Sequence, residues 1–306
     1  MMKSPEVTIV IPVYNGARYL GETIHSFLSQ SFKNFELLAI DDGSTDASSD
    51  IVRSFKDDRV RLIRQKNSGL VYTLNRGIEE ASAPYIARSD QDDISFPDRL
   101  ERQINAINSH PDVVGVLSYY IKFGSRHRWF NSDKFTVVKS QVTKYEPLKD
   151  GCLLASTLLA KTGALRSIHG YRQDYYPADD FDLECRLAEA GKVLVMREPL
   201  VAYRFHAASN TYQVFADMRQ KMSWTRDSYH RRSQNLEELT FDQFLAAQPQ
   251  RMVRNRIDTA KLQMRIAGQH YLDGRYFRSA GHLLAALTLD PKEIVERVMQ
   301  AAGLSS

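Results

Sequence analysis

Cysteine and tryptophan are scarce in this chain of 306 residues, which has two of each. Cys152 and Cys185 lie far apart in the sequence, so the paired-cysteine spacing of a zinc site is absent. Two isolated thiols exclude a disulfide framework and are typical of a reducing compartment, where they serve as small core residues. A single disulfide between them is the less favoured alternative.

Long apolar runs are also missing. The apolar run at residues 7–13 is too short to cross a bilayer, which takes ~18 or more apolar residues in a helix, and no other run reaches that length. The first residues carry no apolar stretch of the kind that a signal peptide needs. We therefore expect a cytoplasmic protein, and leave open a peripheral contact with the inner face of the cell membrane.

The excess of positive charge is small, because the chain has 41 Lys and Arg and 37 Asp and Glu. Residues 207–306 hold 14 basic and 10 acidic residues, so residues 1–206 are neutral with 27 of each. This imbalance favours contact of the last third with an anionic surface. It is too mild for nucleic-acid binding, and no recognisable nucleic-acid-binding module accompanies it, so we expect no nucleic-acid partner.

The first two thirds of the chain alternate short β-rich runs with amphipathic stretches. Strands are predicted at residues 7–13, 35–40, 60–64, 85–88, 113–123, 193–196 and 201–205. Helices are predicted at residues 19–30, 46–55, 69–81, 97–109 and 180–189, and residues 126–150 are irregular. Alternation with short links indicates an α/β fold, with a mostly parallel, Rossmann-like sheet and helices on both faces.

Beyond residue 206 the pattern becomes helical, with helices predicted at 214–229, 252–271 and 276–286. We place a boundary near residue 207, which divides the chain into an α/β domain at 1–206 and a helical region at 207–306. Basic side chains lie largely off the apolar stripe of the helix at 252–271. A packed helix with a solvated basic face is favoured, and a basic amphipathic helix on a membrane surface is the alternative.

Carboxylates collect where the predicted strands end, which is where parallel α/β sheets bind ligands. Asp90, Asp92 and Asp93 follow the fourth strand, and acids so close repel one another unless a cation or hydrogen-bond donors compensate. Mg²⁺ usually takes one or two protein carboxylates together with phosphate oxygens. The alternative is that these acids cap the helix that follows Pro97, which suits Asp93 best.

Two further acids, Asp41 and Asp42, end the second predicted strand and lead into Gly43. Asp46 is best explained as the start of the next helix. Asp42 lies at the strand tip, where it can accept a hydrogen bond from a base N–H or a ribose hydroxyl. Spacing alone leaves that function and helix capping equally open.

Four segments, in this order, resemble the motifs of glycosyltransferase family 2, which has the GT-A fold, and especially its bacterial polysaccharide-type members. They are PVYNG at 12–16, DDGSTD at 41–46, the set Asn67, Gly69, Asn75 and Gly77, and RSDQDDISFP at 88–97. The resemblance covers about two thirds of the chain and implies a nucleotide-sugar donor. The residues that it places around the donor are Pro12, Tyr14, Asp42, Asn67, Gly69 and Asp90.

By this resemblance Asp90-Gln91-Asp92 corresponds to the DxD motif of the family. Asp90 then faces the ribose, and Asp92 is the direct ligand of a divalent ion, Mn²⁺ or Mg²⁺. Gln91 is bulkier than the residue that is common at the middle position. His206 matches a histidine that completes the metal shell in many GT-A enzymes, and imidazole is a reasonable partner for Mn²⁺.

The resemblance extends to ADDFDL at 178–183, where relatives carry a Glu-Asp pair whose aspartate is the general base. Asp180 matches that base, and Asp179 replaces the glutamate with a side chain shorter by one methylene. The alternative is an acid-rich first helical turn, an interpretation that describes Asp182 well.

These matches imply an inverting, metal-dependent glycosyltransferase. It would move a sugar from a nucleotide-sugar donor, with a UDP-sugar favoured, to a hydroxyl of a glycan or lipid-linked acceptor, as in cell-surface polysaccharide synthesis. The alternative is a non-catalytic nucleotide-sugar-binding or scaffold protein, which would have no need of a base such as Asp180. A nucleotidyltransferase would usually show a Gly-rich basic loop after the first strand, and residues 12–16 are not such a loop.

Overall fold

A computed structural model describes residues 4–124, 129–130, 141–206, 214–247, 251–272, 276–291 and 295. The chain forms two compact units. The first combines Met1–Tyr120 with Val137–Tyr203, and the second combines Ile121–Thr136 with Arg204–Ser306. The predicted division into residues 1–206 and 207–306 stays a prediction.

The described strands form one sheet. They are β1 (Val7–Val13), β2 (Phe35–Asp41), β3 (Val60–Arg64), β4 (Tyr85–Arg88), β5 (Ile94–Ser95), β6 (Val113–Gly124), β7 (Trp129–Phe130), β8 (Val142–Lys144), β9 (Leu159–Lys161) and β10 (Lys192–Phe205). Their order is β3-β2-β1-β4-β9-β6-β10-β5, with β7 beside β6 and β8 beside β10. Strands β1 to β4 pair in parallel, and β9 pairs antiparallel with β4 and β6. The predicted α/β fold is confirmed, and the parallel part of the sheet is made by β1 to β4, four of its ten described strands.

Helices of the first unit cover both faces of this sheet. They are α1 (Leu20–Leu28), α2 (Ser48–Ser54), α3 (Leu70–Glu80), α4 (Arg99–Asn108), α5 (Pro147–Asp150), α6 (Thr162–Ser167) and α7 (Asp179–Ala190). Successive residues of a strand point to opposite faces. Ile9 and Ile11 of β1 therefore join a core with α1, α2 and α4, whereas Val10 joins a second core with α3, α6 and α7.

Two glycines allow α3 to pack closely on β1 and to begin beside the end of β2. Gly77 faces Val10, and a Cβ at this position would overlap the valine side chain, so the helix can lie close to the strand only with glycine here. Gly69 directly precedes α3 with a φ of +91°, a backbone conformation that glycine adopts without the steric cost of a side chain. The N-terminus of α3 is thus held beside the tip of β2.

The structure differs from the predictions on the antiparallel side. Strand β10 is continuous where two strands were predicted, and Pro199 lies between its two partners. Residues 194–196 pair with β8, whereas residues 201–202 pair with β5, so the proline interrupts neither of these ladders. Strands β5 and β9 were missed because two or three residues are too few to show a periodicity.

The helical region predicted after residue 206 is confirmed in the second unit. Its helices are α8 (Phe215–Ser233), α9 (Phe241–Ala246), α10 (Arg251–Leu272) and α11 (Tyr276–Leu289). Helix α9 was not predicted, although Thr240 and Gln243 form a capping box that the T-x-x-Q spacing could have revealed. Trp224 of α8 packs on Phe241 and donates a hydrogen bond of 2.8 Å to the Leu239 carbonyl. Across the described ranges, every helix is too short or too polar to cross a bilayer.

Candidate active site

The tips of β1, β2 and β4 meet at one edge of the sheet because the three strands are parallel. Asp42, just past β2, is buried and receives three hydrogen bonds from the loop before α3. Gln65 and the Ser68 backbone N–H donate to Oδ1 at 2.7 and 2.8 Å, and the Gly69 N–H donates to Oδ2 at 2.9 Å. A carboxylate oxygen can accept two hydrogen bonds, so Oδ2 keeps one acceptor position beyond these contacts.

The preceding acid, Asp41, is fully buried and structural. It accepts hydrogen bonds from the Ser44 N–H, at 2.8 Å, and from the Ser49 hydroxyl, and Arg64 lies 3.2 Å away. Burial alone would raise the pKa of Asp41, but these donors outweigh it and lower the pKa. Asp41 therefore stays ionised and holds the loop that leads to α2.

The loop after β1 is held to the loop after β4 by the side chain of Gln91. Its Oε1 accepts from the Tyr14 N–H at 3.0 Å, and its Nε2 donates to the Tyr14 carbonyl at 3.1 Å. Gly16 makes room for this amide, because a Cβ there would overlap it. The bulk of Gln91 at the middle of the Asp90–Asp92 triplet thus has a definite use, while the Tyr14 side chain stays 49% exposed.

Arg88, the last residue of β4, joins the two predicted halves of the site. Its side chain is only 4% exposed, and Nη1 donates to Asp180 Oδ1 at 2.8 Å while Nη2 donates to Asp90 Oδ1 at 3.0 Å. The two carboxylates are 32% (Asp90) and 30% (Asp180) exposed, so each keeps a face toward solvent. One buried cation therefore fixes Asp90, predicted for the donor, and Asp180, predicted for the acceptor.

A second buried arginine supports the first. Arg99 donates at 2.9 Å to the carbonyl of Arg88 and at 2.9 Å to the hydroxyl of Ser95, and also contacts Gln103 at 3.0 Å. Burial lowers the pKa of Arg99 to about 9, with Asp93 opposing that shift. The end of β4 is thereby fixed from behind, and Arg88 can point at the two carboxylates.

The acids at the start of α7 have perturbed pKa values. Burial, followed by the charge of Asp180, raises the pKa of Asp179 to about 8. Burial also raises the pKa of Asp180, but Arg88 opposes the shift. Asp180 is therefore a partly exposed acid whose basicity is raised by burial and limited by a guanidinium, a combination suited to a general base near neutral pH.

The segment that follows α5 contacts Asp90 from the side opposite to Arg88. The Ser156 hydroxyl lies 3.0 Å from Asp90 Oδ2 and 3.1 Å from the Asp90 N–H. Both Asp90 oxygens thus have hydrogen-bond partners within the protein. Asp92 is half-buried, next to the strand tips.

A divalent ion fits this edge only if the ligand supplies part of its shell. No group of three or more His, Cys, Asp or Glu side chains able to hold a metal occurs within the part of the chain that the structure describes. Mg²⁺ typically binds through one or two carboxylates plus phosphate oxygens and water. A half-buried Asp92 beside a nucleotide site is compatible with that donor set.

The remaining predicted residues lie as follows. Pro12 is buried in β1, opposite Ile40 of β2, and Asn67 is exposed in the loop whose Ser68 and Gly69 N–H groups bind Asp42. His206 follows β10 and belongs to the second unit. Its assignment as a metal ligand stays a prediction.

The alternative of helix capping does not hold for Asp93, which is fully buried beside Arg99, whereas Asp98 is the residue that precedes α4. Asp182 lies in the acidic first turn of α7, as expected, and Arg172 and Arg186 both bind its buried carboxylate. Arg88 was not predicted as a site residue, although a charged residue at the end of the apolar strand Tyr85–Arg88 was the available signal.

A Rossmann-like sheet with acids at the tips of its parallel strands, followed by a second group of acids on α7, is the arrangement expected from the resemblance to GT-A glycosyltransferases. Comparison with known proteins identifies the family. The model of Glycosyl transferase family 2 matches residues 8–167, more than half of the chain. The chain belongs to glycosyl transferase family 2 and is a glycosyltransferase.

Curated relatives support this family. EpsE of Bacillus subtilis (strain 168), named as a glycosyltransferase, is 34% identical over 202 residues, which cover 62% of this chain and 69% of EpsE. An uncharacterized glycosyltransferase of Rickettsia prowazekii (strain Madrid E) is 30% identical over 213 residues, 68% of this chain and 66% of the relative. The matches therefore span about two thirds of each relative.

Solved structures share the fold. TarS of S. aureus (residues 1–349, in complex with UDP-GlcNAc) superimposes with a TM-score of 0.58 at 15% identity, covering 92% of this chain and 91% of TarS. The mannosyltransferase PcManGT of Pyrobaculum calidifontis, in complex with GDP-Man and Mn²⁺, gives a TM-score of 0.56 at 14% identity. That match covers 99% of this chain and 81% of PcManGT. The GT-A fold is thereby confirmed.

Proposed function

We propose that this protein is an inverting, metal-dependent glycosyltransferase that moves a sugar from a nucleotide-sugar donor to a hydroxyl of a glycan or lipid-linked acceptor. The observation that carries the proposal is the Arg88 bridge, in which one buried guanidinium holds Asp90 and Asp180 at 3.0 and 2.8 Å. Because Asp90 and Asp180 bind the same guanidinium, the proposed donor-side carboxylate and the proposed base lie close together. Such proximity is what a transfer between two bound substrates requires.

The donor is a nucleoside diphosphate sugar, with a UDP-sugar favoured. Asp42 has an acceptor position left on Oδ2 for a base N–H or a ribose hydroxyl, and Tyr14 presents an exposed ring at the neighbouring strand tip. Pro12, Asn67, Gly69 and Asp90 complete the proposed nucleotide-sugar site. Two fold neighbours, TarS and PcManGT, were solved with UDP-GlcNAc and GDP-Man, which are donors of this class.

Asp92 is proposed as the protein carboxylate that holds Mn²⁺ or Mg²⁺, with His206 as a second ligand. When bound, such an ion neutralises charge on the diphosphate leaving group. Asp90 is less suited to direct ligation, because Arg88 and Ser156 already engage its two oxygens. The resemblance to the DxD motif implies these different roles of Asp92 and Asp90.

Asp180 is proposed as the general base. It removes the proton of the acceptor hydroxyl while that oxygen forms a bond to the anomeric carbon, and the bond to the diphosphate oxygen breaks on the opposite face. The product therefore has the inverted anomeric configuration. The positive charge of Arg88 beside Asp180 favours the ionised carboxylate, which is the form that accepts the proton.

Cell-surface polysaccharide synthesis is the proposed setting, with the protein in the cytoplasm or at the inner face of the membrane. The basic excess of residues 207–306 supports contact with an anionic surface. The side chains of residues 251–258 and of Arg265, which carry most of the basic charge of α10, lie outside the described residues.

The test is transfer by the purified chain. Sugar nucleotides are screened with Mn²⁺, with Mg²⁺ and with a chelator, and release of the nucleoside diphosphate is measured in wild type, Asp180→Asn and Asp58→Asn. General-base assistance is worth ~10²–10⁴ in rate. Asp180→Asn should lose at least ~10²-fold in turnover while its donor affinity stays unchanged. Asp58→Asn, at an exposed position, is the matched control and should keep the turnover of wild type.

Three results would contradict the proposal. Near-normal turnover in Asp180→Asn removes Asp180 as the base. Donor binding without any release of nucleoside diphosphate, under every metal condition and with glycan acceptors present, favours the binding or scaffold alternative. Retention of the anomeric configuration in the product, read by NMR, would exclude the inverting mechanism.

A further inference from the structure

Beneath the candidate active site lies a buried acid whose only described hydrogen-bond partners are uncharged. Glu184 of α7 is 2% exposed, and its Oε2 lies 2.6 Å from the Tyr145 hydroxyl and 3.1 Å from the Leu153 N–H. The other oxygen, Oε1, is buried and has no hydrogen-bond partner within the described ranges. The transfer mechanism proposed above makes no use of Glu184.

The contacts of Tyr145 require one more proton than the tyrosine can supply. Its hydroxyl lies 2.7 Å from the Gly151 carbonyl and 2.6 Å from Glu184 Oε2. A hydroxyl carries a single proton, and a backbone carbonyl can only accept. Both short contacts are satisfied at once if Tyr145 donates to Gly151 and a protonated Glu184 donates to the Tyr145 oxygen.

A neighbouring acid on the same helix shows what an ionised carboxylate requires at this depth. Asp182 is equally buried, and two guanidiniums, those of Arg172 and Arg186, bind it. Among the described residues no cation pairs with Glu184. An ionised Glu184 would therefore leave a buried, charged oxygen without compensation, which is strongly unfavourable, whereas a neutral acid leaves only a carbonyl oxygen.

Glu184 is also coupled to the candidate base by its position. It lies four residues after Asp180, so both side chains are on one face of α7. Asp180 already carries a charge that is paired with Arg88. A second anion on that face would repel it, whereas a neutral Glu184 does not.

We propose that Glu184 is a neutral carboxylic acid that positions residues 151–156, and with them the Ser156 hydroxyl on Asp90. The Glu184–Tyr145 pair holds the Gly151 carbonyl and the Leu153 N–H. Three residues later Ser156 contacts Asp90 Oδ2 at 3.0 Å. Glu184 is thus a positioning residue for the donor side of the site, and this inference rests on the proposed function only in its kinetic consequences.

The titratable groups that interact electrostatically with Glu184 are Tyr145, Cys152, Asp180 and Arg88. Burial raises the pKa of Cys152, so its thiol is neutral as well. Burial, opposed by Tyr145 and the Leu153 N–H, raises the pKa of Glu184 to about 8. Ionisation of Glu184 above that pH would add a charge beside Asp180 and remove the donor to Tyr145.

The first test reads the protonation state without any need for turnover. Infrared difference spectra between wild type and Glu184→Gln at about neutral pH should show the carbonyl band of a protonated acid in wild type only. Glu79→Gln, an exposed matched control on α3, should remove carboxylate bands instead. Tyr145→Phe should keep the acid band but shift it, because its hydrogen-bond partner is gone.

The second test uses kinetics. Glutamine does not titrate, and because the Tyr145 hydroxyl and the Leu153 N–H contact the same oxygen of Glu184, it can keep only one of these two contacts. Glu184→Gln should therefore raise the donor KM less than Glu184→Ala does, and it should lose the part of the decline in activity at alkaline pH that Glu184 causes. Glu184→Ala should raise the donor KM by ~10-fold, with a smaller effect on kcat. The proposal is overturned if the difference spectrum between wild type and Glu184→Gln shows that wild type loses a carboxylate band instead of the band of a protonated acid. It is also overturned if Glu184→Gln and Glu184→Ala raise the donor KM equally, or if the pH profile of Glu184→Gln is that of wild type. Absence of transfer in wild type counts against the proposed function only, because the infrared result is independent of it.

Discussion

Replacement of Arg88 tests whether the two halves of the site depend on one cation. In Arg88→Met the side-chain volume is largely kept, but Asp90 and Asp180 lose their common partner. Removing one member of a buried ion pair typically costs about 3–5 kcal/mol, because the other member is left uncompensated. Since both carboxylates are about one third exposed, water will compensate part of that loss, and we expect about 2–3 kcal/mol in the free energy of unfolding.

Replacement of Arg88 should also slow the transfer reaction. Arg88 lowers the pKa of Asp180, so its removal raises that pKa and reduces the ionised fraction of the base. Each further pKa unit above the working pH reduces the ionised fraction about tenfold. Together with the loss of orientation, turnover at neutral pH should fall ~10²-fold. The acidic limb of the pH–rate profile should move to higher pH, with part of the rate recovered there.

The measurements are nucleoside diphosphate release across pH and urea unfolding of the same preparations. Arg88→Lys should fall between wild type and Arg88→Met, because an ammonium cannot bind two carboxylates with the geometry of a guanidinium. Arg53→Met is the control, since Arg53 pairs with Asp50 at the surface and such pairs contribute about 0–1 kcal/mol. Wild-type turnover in Arg88→Met, or an acidic limb that does not move, would refute the coupling of Asp180 to Arg88.

Further predictions concern the metal, the Gln91 contact and pH. Asp92→Ala should abolish the Mn²⁺-dependent part of nucleotide binding in titration calorimetry, whereas the exposed Asp112→Ala should not; equal affinity with and without Mn²⁺ in wild type would exclude this role. Gln91→Ala removes two hydrogen bonds to Tyr14, so it should raise the donor KM and lower the free energy of unfolding by about 1–3 kcal/mol. Gly16→Ala should have a similar effect, because its Cβ would overlap the Gln91 amide. An unchanged donor KM in both variants would contradict a role of this contact in donor binding. With a folded pKa of about 8 against an ordinary 4.5, Glu184 keeps its proton in the folded chain and loses it in the unfolded chain. Stability should therefore fall as pH rises from about 4.5 to about 8, by up to about 5 kcal/mol from this residue, and urea unfolding of Glu184→Gln should show a flatter dependence; equal slopes would contradict the raised pKa.

The parallel part of the fold was predictable because its signals are local. Short β-rich runs of five to seven residues indicated β1, β2 and β3 nearly to the residue. On the antiparallel side β6 was predicted within one residue, but β5 and β9 were missed, since they owe their existence to partners elsewhere in the chain. The two strands predicted at 193–196 and 201–205 are one strand, β10, in which Pro199 lies between the pairings with β8 and β5.

For the site, the sequence supplied the acids but not their connections. Asp90 and Asp180 stand ninety positions apart, and only the folded sheet shows that Arg88 binds both. Nor could spacing distinguish Asp182, which has two guanidiniums, from Glu184, which has none among the described residues. Burial without a partner is a property of the tertiary structure.

The amide of Gln91 has a counterpart on the other side of the site. Asn75 of α3 receives the Tyr171 N–H at 2.8 Å and donates to the Tyr171 carbonyl at 2.9 Å. Gly170 lies beside it as Gly16 lies beside Gln91, because in each case a Cβ would overlap the amide. Each side-chain amide thus binds both the N–H and the carbonyl of one loop residue, as a neighbouring strand would. The backbone at Tyr14 and Tyr171 is therefore already ordered in the folded protein, so less conformational entropy should be lost when substrates bind.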